Sequence, residues 1–198
     1  MNRRELLRNS LLTIGAAASV NIPVEALVFA SGDDASRELA RSDWAPVFLS
    51  AQQNALLISL SETIIPATET PGAKAALVNR FLDLVLSVLP PETQHEFLDS
   101  LMWFDTGATA RYKANFVNLS DDQKQDFLNL VAWPHTQVRW GETDGKFEGY
   151  EHFQKMKKWV AAAYYSSPVG LKELGYDGWP ARGTFKGCEH QPEEHQDA

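Results

Sequence analysis

From residue 50 onward the apolar positions return every three or four residues, in blocks separated by proline and glycine, as they do in helices with one buried face. Leu56, Leu57, Leu60 and Ile64 share such a face. Ser50 stands where a side chain can accept a first-turn N–H, and Pro66 cannot continue the ladder, so the pattern predicts a helix over 51–65. After the turn Thr68-Glu69-Thr70-Pro71-Gly72, a second stripe of Leu77, Phe81, Leu84, Val85 and Val88 closes at Pro90. Pro91 suits the opening turn of a third helix, in which Phe97, Leu101, Ala108 and Tyr112 keep the period across Gly107, a position that leaves room for a bend. Ser120, with Asp121 and Asp122 at the positive end of the helix dipole, starts a fourth helix that buries Phe127, Leu128 and Val131 and ends by Pro134. A fifth carries Phe153, Met156, Val160, Ala163 and Tyr164 and is closed by Ser167-Pro168.

Between these blocks, residues 134–147 hold Gly141, Gly145 and mixed charge and read as an exposed loop. Residues 31–43 read as a polar linker, so the fold is expected to start near Trp44. From Gly170 the chain is too glycine-rich for a regular element, yet Tyr176, Trp179 and Phe185 make it too aromatic for a free tail. Those rings are expected to pack on the parent helices or to cover a partner. The openings Leu49-Ser50-Ala51-Gln52-Gln53 and Leu119-Ser120-Asp121-Asp122-Gln123 share one capping chemistry, with the leucine expected as a hydrophobic staple. The architecture that follows is a single all-α domain of about five helices over 44–190, with a Gly/aromatic-rich C-terminal extension and a polar tail over 191–198.

Residues 1–30 follow another grammar, basic first and mildly apolar second. Arg3-Arg4 stands just ahead of Leu6-Leu7, Arg8 follows, and the apolar region is weakened by Gly15 and a run of alanines. The segment resembles a twin-arginine (Tat) signal peptide, which implies export of an already folded protein to the periplasm, with cleavage expected after Ala30. Asn21, Pro23 and Glu25 interrupt the run before it reaches the roughly 20 apolar residues a bilayer needs.

Charge and chemistry narrow the reading. The formal charge of −8, which becomes −9 without residues 1–30, repels phosphate backbones, and lysines cluster only at Lys155, Lys157 and Lys158. Nucleic acid is therefore a poor partner. Cys188 is the single cysteine, so no disulfide within the chain and no multi-thiolate metal site can form. There is no Gly-x-Gly-x-x-Gly, no P-loop, no Cys-x-x-Cys-His and no Gly-x-Ser-x-Gly. No catalytic, cofactor-binding or metal-ligating residue is assigned in this chain. Asp99 with Asp105, or Glu148 with Glu151, could be paired as acid and base but read as a solvated face. His135 and His152 lack the spacing of a metal helix, and the ligand-type side chains from Cys188 to His195 read as a terminal tail that binds metal weakly if at all.

Several short stretches occur in an informative order: Leu49 to Gln53 running to Glu62-Thr63-Ile64-Ile65-Pro66, then Pro71-Gly72-Ala73 and Phe81-Leu82-Asp83. They are followed by Ala163-Tyr164-Tyr165-Ser166-Ser167, Gly170, Leu174-Gly175-Tyr176 and Gly187-Cys188. In this the chain resembles the gluconate 2-dehydrogenase subunit 3 family over about residues 44–190. The resemblance implies a small subunit beside a large FAD-containing dehydrogenase subunit of the glucose-methanol-choline type, often with a cytochrome c subunit. The sugar or sugar acid is oxidised on the large chain, which typically lacks a leader and is drawn through the Tat translocon with the small one. On this reading FAD belongs to the partner, Tyr164, Tyr165, Tyr176, Trp179 and Phe185 are candidates for the partner interface, and Cys188 is either a link between subunits or a free or buried thiol. The alternatives are a free-standing periplasmic helical enzyme and a solitary binding module.

Overall fold

The computed structural model describes residues 37, 39–133 and 149–176. Two of its helix starts follow directly from their serines. Ser50 Oγ accepts the Gln53 N–H at 3.2 Å while the Gln53 side chain accepts the Ser50 N–H at 2.9 Å, and Ser120 with Gln123 repeats the arrangement at 3.3 and 3.0 Å. These reciprocal capping boxes open α1 (Ala51–Ile64) and α4 (Asp121–Val131). Leu49 and Leu119 are buried in the core, but the fourth helical residues are Asn54 and Lys124, so neither leucine forms the expected staple.

The other elements are α2 (Val78–Leu86), α3 (Pro91–Tyr112), a 3-10 turn (Phe116–Asn118), α5 (Tyr150–Tyr165) and α6 (Pro168–Glu173). The described residues contain helices and no strand. α1 lies at the centre, touching α2, α3, the 3-10 turn, α4 and α5, while α3 packs along α5. Its Leu56, Leu57 and Leu60 are almost wholly removed from water, each worth roughly 1.5–3 kcal/mol of burial. No helix among the described residues is long and apolar enough to cross a membrane.

α3 runs as one helix through Gly107, as its unbroken period implied, and the missing side chain there admits Phe127: an added Cβ would come within 2.8 Å of that ring. The glycine therefore serves a close approach of α4. Three expectations change. α2 ends at Leu86, which leaves Val88 in the following turn and 42% exposed, outside the stripe it was assigned to. Ser167-Pro168 closes α5 but also begins α6, because Ser167 Oγ accepts the Gly170 N–H at 3.1 Å and Pro168 occupies the first helical position. Finally, Leu39 is buried in the core, so packing reaches back into the stretch read as a linker.

What holds that early stretch is charge placed on α2. Asp83, 1% exposed, accepts the N–H groups of Val47 at 2.7 Å, Phe48 at 3.0 Å and Leu49 at 2.7 Å. Three residues earlier, Arg80 donates to the carbonyls of Leu39 at 2.6 Å and Arg41 at 2.8 Å and lies 4.9 Å over the Trp44 ring. A buried carboxylate facing three amides leaves no backbone donor orphaned at the entry to α1. Removing it strands those donors, which costs more than the bonds themselves contribute. Asp83→Ala should destabilise the protein by about 3 kcal/mol or more, read as a lower urea midpoint, with Asp83→Asn falling between. A variant within a few tenths of wild type would contradict this role.

Candidate functional site

Most of the residues quoted for the family resemblance converge on one corner, where the loop after α1 meets the α5–α6 hairpin. Glu62, near the end of α1, turns its carboxylate into the loop and accepts the Ala67 N–H at 3.1 Å and the Lys74 N–H at 2.7 Å. Gly72 lies against that carboxylate. A Cβ there would stand 2.5 Å from the Ala67 nitrogen and 2.5 Å from a Glu62 oxygen, so only glycine lets the loop close on its acceptor.

Tyr164 joins this loop to the hairpin. Its ring is fully buried, and its hydroxyl proton is shared between the Pro71 carbonyl at 2.7 Å and the Glu173 carboxylate at 2.6 Å. Ser167 Oγ donates to the Tyr164 carbonyl at 2.6 Å, and a side chain at Gly170 would collide with that same carbonyl. The hairpin then closes on a Schellman turn. Gly175, with φ of 69°, donates to Lys172 O, and Tyr176 donates back to Leu171 O at 2.9 Å. Hence Tyr164, Ser167, Gly170 and Leu174-Gly175-Tyr176 share a geometric reason for their spacing.

The interface candidates fare differently. Tyr164, expected at a partner surface, has no surface to offer, because the core and its two acceptors enclose it. Tyr165 packs edge-on to it at 5.1 Å and is 41% exposed, while at the end of α6 Tyr176 is 40% and Leu174 63% exposed. This corner therefore presents apolar surface over a rigid base. Trp179, Phe185 and Cys188, the tail histidines, and Arg3, Arg4, Leu6 and Leu7 of the leader lie outside the described residues, as do His135 and Glu148.

Of the acid–base candidates, Asp99 and Asp105 lie six residues apart on α3 and are not brought together. Asp105 accepts the Phe116 N–H at 2.9 Å, a structural duty at the 3-10 turn, while Asp99 and Glu151 are exposed. His152 stacks on Trp103 at 5.3 Å and meets the buried Ser100 hydroxyl at 3.2 Å; Phe127 also stacks on that indole, at 5.8 Å. Among the described residues no group of three metal-ligating side chains occurs. A polar hollow of about 360 Å³ between α1, the loop and α4 is lined by Glu62, Lys74, Asp121 and Lys124, two acids and two bases that balance each other.

Sequence reasoning missed the pairing of Tyr164 with Glu173 and the duties of Glu62, Arg80 and Asp83. The available signal was Asp83 itself, a carboxylate inside the apolar run Phe81 to Leu86. Tyr164 also sets a pH dependence. Burial first, then the hydrogen bond to Glu173 and its charge, push the phenol from 10.0 up to about 12. Above the unfolded value the unfolded chain loses its proton while the native one keeps it. The contribution is therefore complete below pH 10 and lost as pH rises towards 12, at about 1.4 kcal/mol per pH unit. Tyr164→Phe should flatten the fall in unfolding free energy between pH 10 and 12; an unchanged slope would contradict this assignment.

Neither a curated protein nor a solved structure matches the chain. The family model described as gluconate 2-dehydrogenase subunit 3 matches residues 51–183, a span from the first residue of α1 past the Schellman turn of α6. With most of its length accounted for by that model, the chain belongs to the gluconate 2-dehydrogenase subunit 3 family.

Proposed function

We propose that this chain is the non-catalytic small subunit of a periplasmic FAD-dependent dehydrogenase of the glucose-methanol-choline type, acting on a sugar or sugar acid, and that it stabilises the catalytic subunit and carries it through the Tat translocon. The observation that carries the reading is the family match over 51–183, since a subunit of a dehydrogenase complex acts through its partners. The interior supports it. Glu62, Asp83 and Asp105 each face main-chain amides, so these carboxylates hold loops in place and are not arranged as an acid–base pair. FAD, and electron transfer onward to a cytochrome c subunit, belong on this reading to the partners, and no residue of this chain is assigned to either.

The partner-facing surface is proposed at the α5–α6 corner, where Tyr165, Leu174 and Tyr176 stand exposed above the Tyr164 lock. Cys188 would supply either a covalent link to the large subunit or a free thiol. Export is proposed to depend on Arg3 and Arg4. Replacing both with Lys should strand most of the dehydrogenase activity in the cytoplasmic fraction while leaving the assembled complex intact. Activity still reaching the periplasm at wild-type levels would contradict the escort role.

A further inference from the structure

An apolar cavity of about 270 Å³ opens where the strap at Leu39-Ala40, the turn at Ala75 to Leu77, Phe81 of α2 and the first turn of α6 at Pro168-Val169 meet. Three of its walls are tied down by bonds that do not involve the cavity. Arg80 donates to the carbonyls of Leu39 and Arg41, the residues on either side of Ala40, so the strap cannot fold inward without breaking two bonds from a charged donor. The turn is fixed by the Leu77 N–H on Lys74 O at 3.1 Å and the Val78 N–H on Ala73 O at 3.2 Å, the paired bonds of a Schellman motif. Leu77 sits in its left-handed position at φ of 56°, where glycine is usual, and sets a half-buried apolar side chain in the lining despite that strain. On the third wall Ser167 Oγ donates to Tyr164 O and accepts the Gly170 N–H, with Pro168 in the first helical position.

An empty apolar cavity weakens a fold, and packing ordinarily shrinks it. Here the walls are held apart, and Ala40, Ala75, Ala76 and Ala163 leave the space between them. The lining also selects what can enter. Among the described residues its one polar side chain is Ser167, whose hydroxyl already donates and accepts, so water finds too few partners and a charged or polyhydroxylated ligand would lose hydration without replacement. A dry cavity of about 150 Å³ takes benzene, which leaves this one room for a ring with a short alkyl substituent. We propose that the cavity is a binding site for a small uncharged ligand of that class, an alkyl-substituted aromatic ring. The site is separate from the proposed partner surface, since Tyr165, Leu174 and Tyr176 take no part in its lining.

The test is a titration of the full chain with butylbenzene, followed by NMR of its leucine and valine methyl groups. Ala40 and Ala75 line the cavity and are exposed, so A40F and A75F fill it while leaving the buried core residues in place. The expected result is saturable shifts of the Leu39, Leu77 and Val169 methyl resonances, with affinity lowered about tenfold or more in both variants. Inositol, a polar ring, should leave the same resonances unmoved. The proposal is overturned if butylbenzene gives no saturable shift at these methyls, if inositol moves them as far, or if binding survives both substitutions.

Discussion

A single carboxylate decides how this protein begins. Asp83 lies inside the apolar run Phe81 to Leu86 and takes three consecutive amides at the entry to α1, while Arg80 on the preceding turn takes two carbonyls further upstream. α1 in turn is the element that most others touch. The desolvation of an acid at 1% exposure is tolerated because the amides it meets would otherwise be buried without acceptors. Each side of the contact satisfies the other's need, and the central helix is thereby fixed against α2.

The same device recurs at the opposite end of α1. Glu62 accepts two loop amides, and the loop presents the Pro71 carbonyl to the Tyr164 hydroxyl. Both acids, Asp83 and Glu62, are closed onto main-chain amides. Tyr165, Leu174 and Tyr176 stand exposed on the hairpin above the Tyr164 hydroxyl's two acceptors, a favourable arrangement for docking because little ordering remains to be done on binding. That pairing of a braced corner with outward rings is the physical content of the accessory role proposed for this family member.

Helix existence was legible wherever period and cap agreed: both serine capping boxes, the proline opening α3 and the buried faces of α1 and α4 follow from local rules. The failures have physical causes. The duty of Gly107 was hidden because its neighbour, Phe127, lies twenty residues away in sequence and only the fold brings the two together. Ser167-Pro168 satisfies the grammar of an end and of a beginning at once, and the six-residue α6 is too short to show a period. Tyr164 looked like surface because a tyrosine pair at a helix end is amphipathic. Its hydroxyl partners, Pro71 and Glu173, lie ninety-three and nine residues away. The corner was visible as a set of ordered fragments through the family resemblance, but its reason, a loop closed on Glu62 at Gly72 and locked by Tyr164, arises only from contacts between residues far apart in sequence.

The account stands or falls on where the redox chemistry takes place. The direct measurement is flavin absorbance and dye-linked sugar oxidation of the purified single chain, set beside the same chain reunited with its flavoprotein. The account predicts neither flavin nor turnover in the first sample and both in the second. Stoichiometric flavin with oxidation of a carbohydrate by the single chain would contradict it.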